Sequence, residues 1–122
     1  MKILFLDDNQ FRHDAIESQH PGEVIHCYTV DEFVAALTNP EHERFCVVSL
    51  DHDLNDFDCR SLYNGQEATG LDACGLMVSR EEFRVKLPDE ILIHSVNPCG
   101  AGAMRAFLQR KGYTVRWIPF AV

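Results

Sequence analysis

Five strand-length apolar runs alternate with segments of helical spacing, and this alternation restricts the chain more than any other feature. Lys2 to Leu6, Glu23 to Tyr28, Arg44 to Leu50, Glu90 to Ser95 and Tyr113 to Ile118 read as strands. Gln10 to Ser18, the stretch from Thr29 to Asn39-Pro40, Gly70 to Phe83 and Pro98 to Lys111 place apolar residues at helical intervals. Thr29 and Glu32 carry the spacing of a capping box, and Gly112 is a natural stop for the last helix. Strictly alternating strands and helices imply a parallel sheet with helices on both faces. Right-handed crossovers then favour strand order 2-1-3-4-5. The expectation is one α/β domain over residues 1–122, a three-layer α/β/α sandwich. Asp51 to Glu67 resists the pattern: it is long, polar and aperiodic, and such loops inside compact domains are often functional.

Three of the strands run into chemistry at their C-terminal ends. Ile3-Leu4-Phe5-Leu6 leads to Asp7-Asp8, Cys46-Val47-Val48-Ser49-Leu50 to Asp51-His52-Asp53, and Ile91-Leu92-Ile93 to His94-Ser95-Val96-Asn97. In a parallel sheet of the expected order these clusters meet at one edge, where open α/β sheets bind ligands. Asp7, Asp8 and Asp51 offer hard oxygens suited to Mg²⁺ or Mn²⁺. Asp8 or Asn9 could equally cap the first helix. His94 and His52 are candidate proton carriers near neutral pH. Ser95, Asn97, Gly100 at the start of the last helix, and Arg12 are candidate phosphate ligands, with Asp53 in support. Arg12 could alternatively pair with Asp8. His13, His20, His26 and His42 read as surface or structural residues, and Trp117 and Phe120 as core or pocket wall.

Charge narrows the partners. The chain carries 11 Lys and Arg against 19 Asp and Glu, a formal net charge of −8, with no basic cluster. Such a field repels a nucleic-acid duplex. A phosphate-containing small molecule or an RNA end remains possible if a divalent cation screens the carboxylates. The five cysteines form no CxxC and match no zinc spacing, so they read as reduced thiols. No apolar run reaches membrane-span length and the N-terminus does not resemble a signal peptide, so no membrane partner and a cytoplasmic location are expected.

Leu6-Asp7-Asp8, Leu50-Asp51 and the hydroxyl of Ser95 resemble the response-regulator receiver domain, a flavodoxin-like fold. That resemblance implies an acidic pair and a phosphoacceptor aspartate that bind Mg²⁺. Receivers carry a lysine at the end of strand five, where this chain has Trp117-Ile118-Pro119-Phe120, and the chain stops where their final helix begins. A closer resemblance joins Leu6-Asp7-Asp8 with Arg12, Ser49-Leu50-Asp51-His52-Asp53-Leu54 and His94-Ser95-Val96-Asn97-Pro98-Cys99-Gly100-Ala101 through Met104-Arg105. Together these are similar to the cyclic-phosphate processing receiver-like family. The resemblance implies a metal-dependent phosphoesterase acting on cyclic nucleotides or cyclic-phosphate RNA ends. In that reading Asp51 is a metal ligand or a nucleophile. The rival expectations are a non-catalytic module that binds a partner protein or nucleotide, and a phosphoaccepting receiver.

Overall fold

A computed structural model describes residues 1–54 and 62–119. Strands β1 (Ile3–Leu6), β2 (Val24–Cys27), β3 (Val47–Leu50), β6 (Glu90–Ile93) and β7 (Thr114–Trp117) form one parallel sheet of order β2-β1-β3-β6-β7. This is the expected 2-1-3-4-5 arrangement, with two further short strands, β4 (Leu62–Tyr63) and β5 (Gln66–Glu67), set apart as a hairpin. The helices are α1 (Gln10–Gln19), α2 (Val30–Thr38), α3 (Gly70–Met77), α4 (Glu81–Arg84) and α5 (Pro98–Arg110). No helix is long and apolar enough to cross a membrane among the described residues.

Side-chain alternation divides the sheet into two unequal faces. Leu4, Leu6, Val48, Leu50, Ile91 and Ile93 enter the main core beneath α2, α3 and α5. Ile3, Phe5 and Val47 belong to a small second cluster under α1, with Val24 and Ile16. Near-continuous apolar strands are what burial on both faces requires.

Helix starts follow their caps. Thr29 and Glu32 form the full reciprocal capping box expected of α2. Thr69 and Asp72 form a second one at α3. Asn9, rather than Asp8, caps α1 by accepting from the Phe11 N–H at 2.9 Å. The single helix expected over Gly70 to Phe83 is two helices. The Ser79 N–H and hydroxyl both turn back to the Leu76 carbonyl, and Arg80 is extended, so the chain leaves α3 and restarts as α4. Within the stretch expected to be an aperiodic loop, Asn64 (φ 53°) and Gly65 (φ 78°) make the tight turn of the β4–β5 hairpin. Asn-Gly is the strongest short-range signal for that turn, and it was present in the sequence. Residues 55–61 of the same stretch, and Phe120, lie outside the described residues.

Candidate active site at the carboxyl edge of the sheet

The strand ends deliver their carboxylates into a buried setting. Asp7 is 0% exposed, Asp51 3%, His94 4% and Asp8 5%. Asp7 follows Phe5 on the α1 face of β1, Asp51 follows Ser49 on β3, and His94 follows Leu92 on β6, so all three share one face. One potential ligand atom from each of Asp7, Asp51 and His94 lies within 4.8 Å of the others.

His94 is held at both nitrogens, by Asp7 Oδ2 at 2.8 Å and by Ser49 Oγ at 2.7 Å. Phe5 stacks on its ring at 4.6 Å. Burial pulls the imidazole below its ordinary pKa, against the opposing pull of Asp7. The ring is therefore neutral, with Nε2–H donating to Asp7 and Nδ1 accepting from the Ser49 hydroxyl. Burial pushes Asp7 upward. The His94 hydrogen bond and charge, the Asn9 N–H at 2.8 Å and the Arg12 guanidinium outweigh it, so the carboxyl sits below its usual range. Asp51 goes the other way. Burial and the neighbouring Asp7 charge push it up to about 7, despite Arg12 and the His52 N–H that donates to it at 2.9 Å.

Arg12 is the cation already in place. Its Nη1 lies 3.4 Å from Asp7 Oδ2 and 3.5 Å from Asp51 Oδ2, so of the two roles open to it in the sequence the pairing with Asp8 gives way to a bridge between the other two carboxylates. Arg12 follows the α1 cap by one turn, which swings it over the strand ends. These contacts are long for charge-assisted hydrogen bonds, which average about 2.7–2.9 Å. Arg12 Nε is buried with no hydrogen-bond partner among the described residues. A buried donor left open in this way is uncommon and suits an incoming anion.

A second polar group surrounds the start of α5. His52 Nδ1 meets Asp53 Oδ1 at 2.8 Å, and the Asn97 amide donates to both Asp53 oxygens at 3.2 and 3.3 Å. Asn97 Oδ1 accepts from the Gly100 N–H at 3.1 Å, capping α5. The Asn97 side chain, expected at the phosphate, is thus engaged at both ends in tying the β3 loop to α5. His52 stands with this group and not in the Asp7–Asp51–His94 cluster. Ser95 is fully buried; its hydroxyl accepts from the Asn97 N–H, and its carbonyl accepts from Trp117 Nε1–H at 2.7 Å. Trp117 is 39% exposed and lies outside the core where it was expected. Gly100 is required because a Cβ there would sit 2.3 Å from His52 Cγ. Gly100→Ala is expected to turn His52 away from Asp53 and to cost about 1–3 kcal/mol, read as a lower urea midpoint with an unchanged slope.

Two histidines went unrecognised as site supports. His13 is fully buried: its Nε2–H donates to the Asp7 carbonyl at 2.7 Å, and its Nδ1 faces His26 Nδ1 at 2.7 Å. His26 Nε2 in turn meets Glu17 Oε1 at 2.8 Å. A polar side chain buried on α1 and another on β2 add nothing to an apolar period, so the sequence carried no signal for them. His42 meets the Lys2 amine at 2.9 Å, away from these groups.

Solved receiver domains share this architecture. A CheY-like response regulator receiver domain protein from Methanospirillum hungatei JF-1 superposes with TM-score 0.58 at 18% identity, covering 99% of this chain and 82% of that one. The receiver domain of NtrX from Brucella abortus gives 0.61 at 20% identity, covering 98% and 88%. A Burkholderia pseudomallei response regulator, determined with a phosphorylated aspartic acid, calcium ion and citrate, gives 0.56 at 15% identity, covering 99% and 61%. At these identities the likeness establishes the flavodoxin-like receiver fold. No curated protein matches the chain. The sequence itself is more specific: residues 2–110 match the family model of the cyclic-phosphate processing receiver domain, and the chain belongs to that family.

Proposed function

We propose that this domain is a divalent-metal-dependent phosphoesterase that opens cyclic phosphodiesters. The observation that carries the reading is the convergence of Asp7, Asp51 and His94 within 4.8 Å in a buried setting. The donor set suits a cation: the Asp7 and Asp51 carboxylates lie within reach of one another, with Asp8 buried at the same edge and His94 beside them to move protons. The upward push on Asp51 is what a bound cation would reverse. Carboxylate oxygen donors suit Mg²⁺ and Mn²⁺ alike.

Asp7, Asp8 and Asp51 hold the ion in this reading. A divalent cation there supplies charge neutralisation for phosphate oxygens and acidifies a water molecule. Arg12, loosely bridging two carboxylates, turns its guanidinium to the phosphate. In the first turn of α5, where Gly100 and Ala101 donate to Asn97 and Pro98 has no N–H, the Cys99 N–H grips a remaining oxygen. His94 moves the protons. The water oxygen joins phosphorus and one phosphorus–ribose oxygen bond breaks. The neutral His94 ring first takes the proton that the water gives up, and the imidazolium then releases its Nε2 hydrogen to the departing oxygen, freed from Asp7 once that carboxylate turns to the cation. One water is consumed and a phosphomonoester remains. Asp53, Asn97 and His52 position the loop that carries Asp51.

The test follows 2′,3′-cyclic nucleotides and cyclic-phosphate-ended RNA by ³¹P NMR with Mg²⁺ or Mn²⁺ present. Conversion to monoester is expected, with a loss of about 100-fold or more in His94→Gln, the scale of a lost acid–base group. Intact substrates after prolonged incubation with the wild-type protein would overturn the reading. A second reading, a phosphoaccepting receiver, is favoured by the position of Asp51 at the end of β3. Against it, the only cation among the described residues 114–119 is Arg116, and it lies 3.5 Å from Glu90 rather than at the edge. A gain of one phosphoryl group on Asp51 after acetyl phosphate treatment would select that reading.

A further inference from the structure

A cavity of about 330 Å³ lies on the α1 face, directly beneath the carboxylate edge. Phe5, Ile16, Ser49, Leu92, His94 and Ile118 line it, with Gln19 at its side. Its volume falls within the small-ligand range of about 300–1,000 Å³. Strand register fixes its relation to the edge. Phe5 pairs with Ser49 and Ser49 with Leu92, so these three stand abreast across β1, β3 and β6. The next residues of the same parity are Asp7, Asp51 and His94. The cavity and the edge are successive tiers of one face, and His94 belongs to both.

We propose that this cavity is a nucleobase site for the cyclic phosphodiester, an inference that rests on the hydrolase reading and specifies its substrate as a nucleoside cyclic phosphate whose base bears an N–H donor. Three properties select this occupant. The walls are mainly apolar, which suits a flat ring and not a free anion. None of the lining residues is Lys, Arg, Asp or Glu. Apart from the Gln19 amide, the polar groups at the cavity are one oriented pair, Ser49 and His94. Because His94 Nε2–H is committed to Asp7, its Nδ1 takes the Ser49 hydroxyl hydrogen. The Ser49 oxygen is then left as an acceptor, and it asks a ligand for an N–H. Adenine offers one through its amino group. A base in the lower tier places its sugar and phosphate toward the upper tier, where the carboxylates and Arg12 stand.

Adenosine, which carries no phosphate, is the probe. Titrated into the full chain, it is expected to give saturable amide shifts centred on Ser49, Leu92 and Ile118, and to change the fluorescence of Trp117, the single tryptophan. Purine riboside, identical but for the amino group, is expected to bind at least tenfold more weakly. Ser49→Ala should reduce adenosine to the affinity of purine riboside. Ile118→Trp, at a position 48% exposed on the cavity wall, should weaken adenosine at least tenfold, while Ile118→Ala should not. Melting curves of each variant report its folding. The inference is overturned by absent shifts, by shifts on another face, by equal affinity for the two nucleosides, or by self-association that covers Leu92 and Ile118. The two readings fail separately. A protein that binds adenosine as described yet leaves every cyclic phosphate intact removes the hydrolase alone. One that opens a base-free cyclic phosphodiester yet ignores adenosine removes the base site alone.

Discussion

Asp51→Asn is expected to stabilise the metal-free protein at pH 8 while abolishing cation binding and turnover. Burial and the Asp7 charge hold the folded-state carboxyl near 7, against 3.8 in its ordinary setting. An acid raised in this way favours the protonated folded state. Its ionisation therefore removes stability as pH rises through the interval from about 4 to about 7, by an amount on the order of a few kcal/mol. Asn carries no charge to bury, and Arg12 keeps its contact with Asp7. The variant should thus exceed wild type by about 1–3 kcal/mol at pH 8, with the difference vanishing near pH 4. Burial also lowers the pKa of His94 and His13, which removes stability as pH falls below 6.5, but both proteins share that contribution. Urea unfolding in chelator at pH 4.5, 6 and 8 checks the result; parallel pH profiles would contradict it. Added Mg²⁺ or Mn²⁺ should raise the melting temperature of wild type and leave the Asn variant unmoved.

Gly70→Ala should be the most damaging single methyl in the chain. Gly70 opens α3, and its N–H donates to the His52 carbonyl at 2.9 Å. A Cβ at Gly70 would fall 1.9 Å from the Asp51 carbonyl oxygen and 2.9 Å from His52 Cα. Both obstacles are backbone, so no side-chain rotation relieves them; either α3 or the Asp51 loop must move. The expected cost is about 3 kcal/mol, at the upper end for overpacking. If the Asp51 loop yields, cation binding is lost as well. A variant with an unchanged urea midpoint and unchanged cation affinity would show that the loop and helix are not in this close contact. Comparison with Gly75→Ala, where no atom lies within 4 Å of the added Cβ, separates the clash from any general effect of a helical glycine.

The strands and their order were legible because parallel strands buried on both faces must be apolar along their length, and Ile3–Leu6 and Val47–Leu50 are nearly so. The convergence at one edge then followed from topology. What escaped was set by helix phase and by competing hydrogen bonds. At α1, Phe11 is 75% exposed while His13 is fully buried, so the apolar pattern misplaces the inward face. Arg12 lands on Asp7 and Asp51 because Asn9, not Asp8, starts the helix. The break between α3 and α4 rests on Ser79 bonding to Leu76, a local alternative that periodicity does not register. The identity of the edge residues could be read from the sequence. The engagement of Asn97 with Asp53 could not, because it joins residues 44 apart through side chains alone.

The histidine pair beside β1 fixes its own hydrogens. The Asp7 carbonyl can only accept, so Nε2 of His13 must be the protonated nitrogen. Burial keeps that ring neutral, which makes its Nδ1 a lone pair. The hydrogen lying between the two Nδ1 atoms therefore originates on His26. One tautomer of the residue 13 ring is thereby selected, and nitrogen-15 chemical shifts of the imidazoles should display a protonated ε nitrogen on residue 13 facing a protonated δ nitrogen on residue 26, whose ε nitrogen keeps its own contact with Glu17. Exchange either ring for phenylalanine and the main chain that presents the first edge carboxylate is left with its amide bond to the Cys27 carbonyl as its anchor to the neighbouring strand.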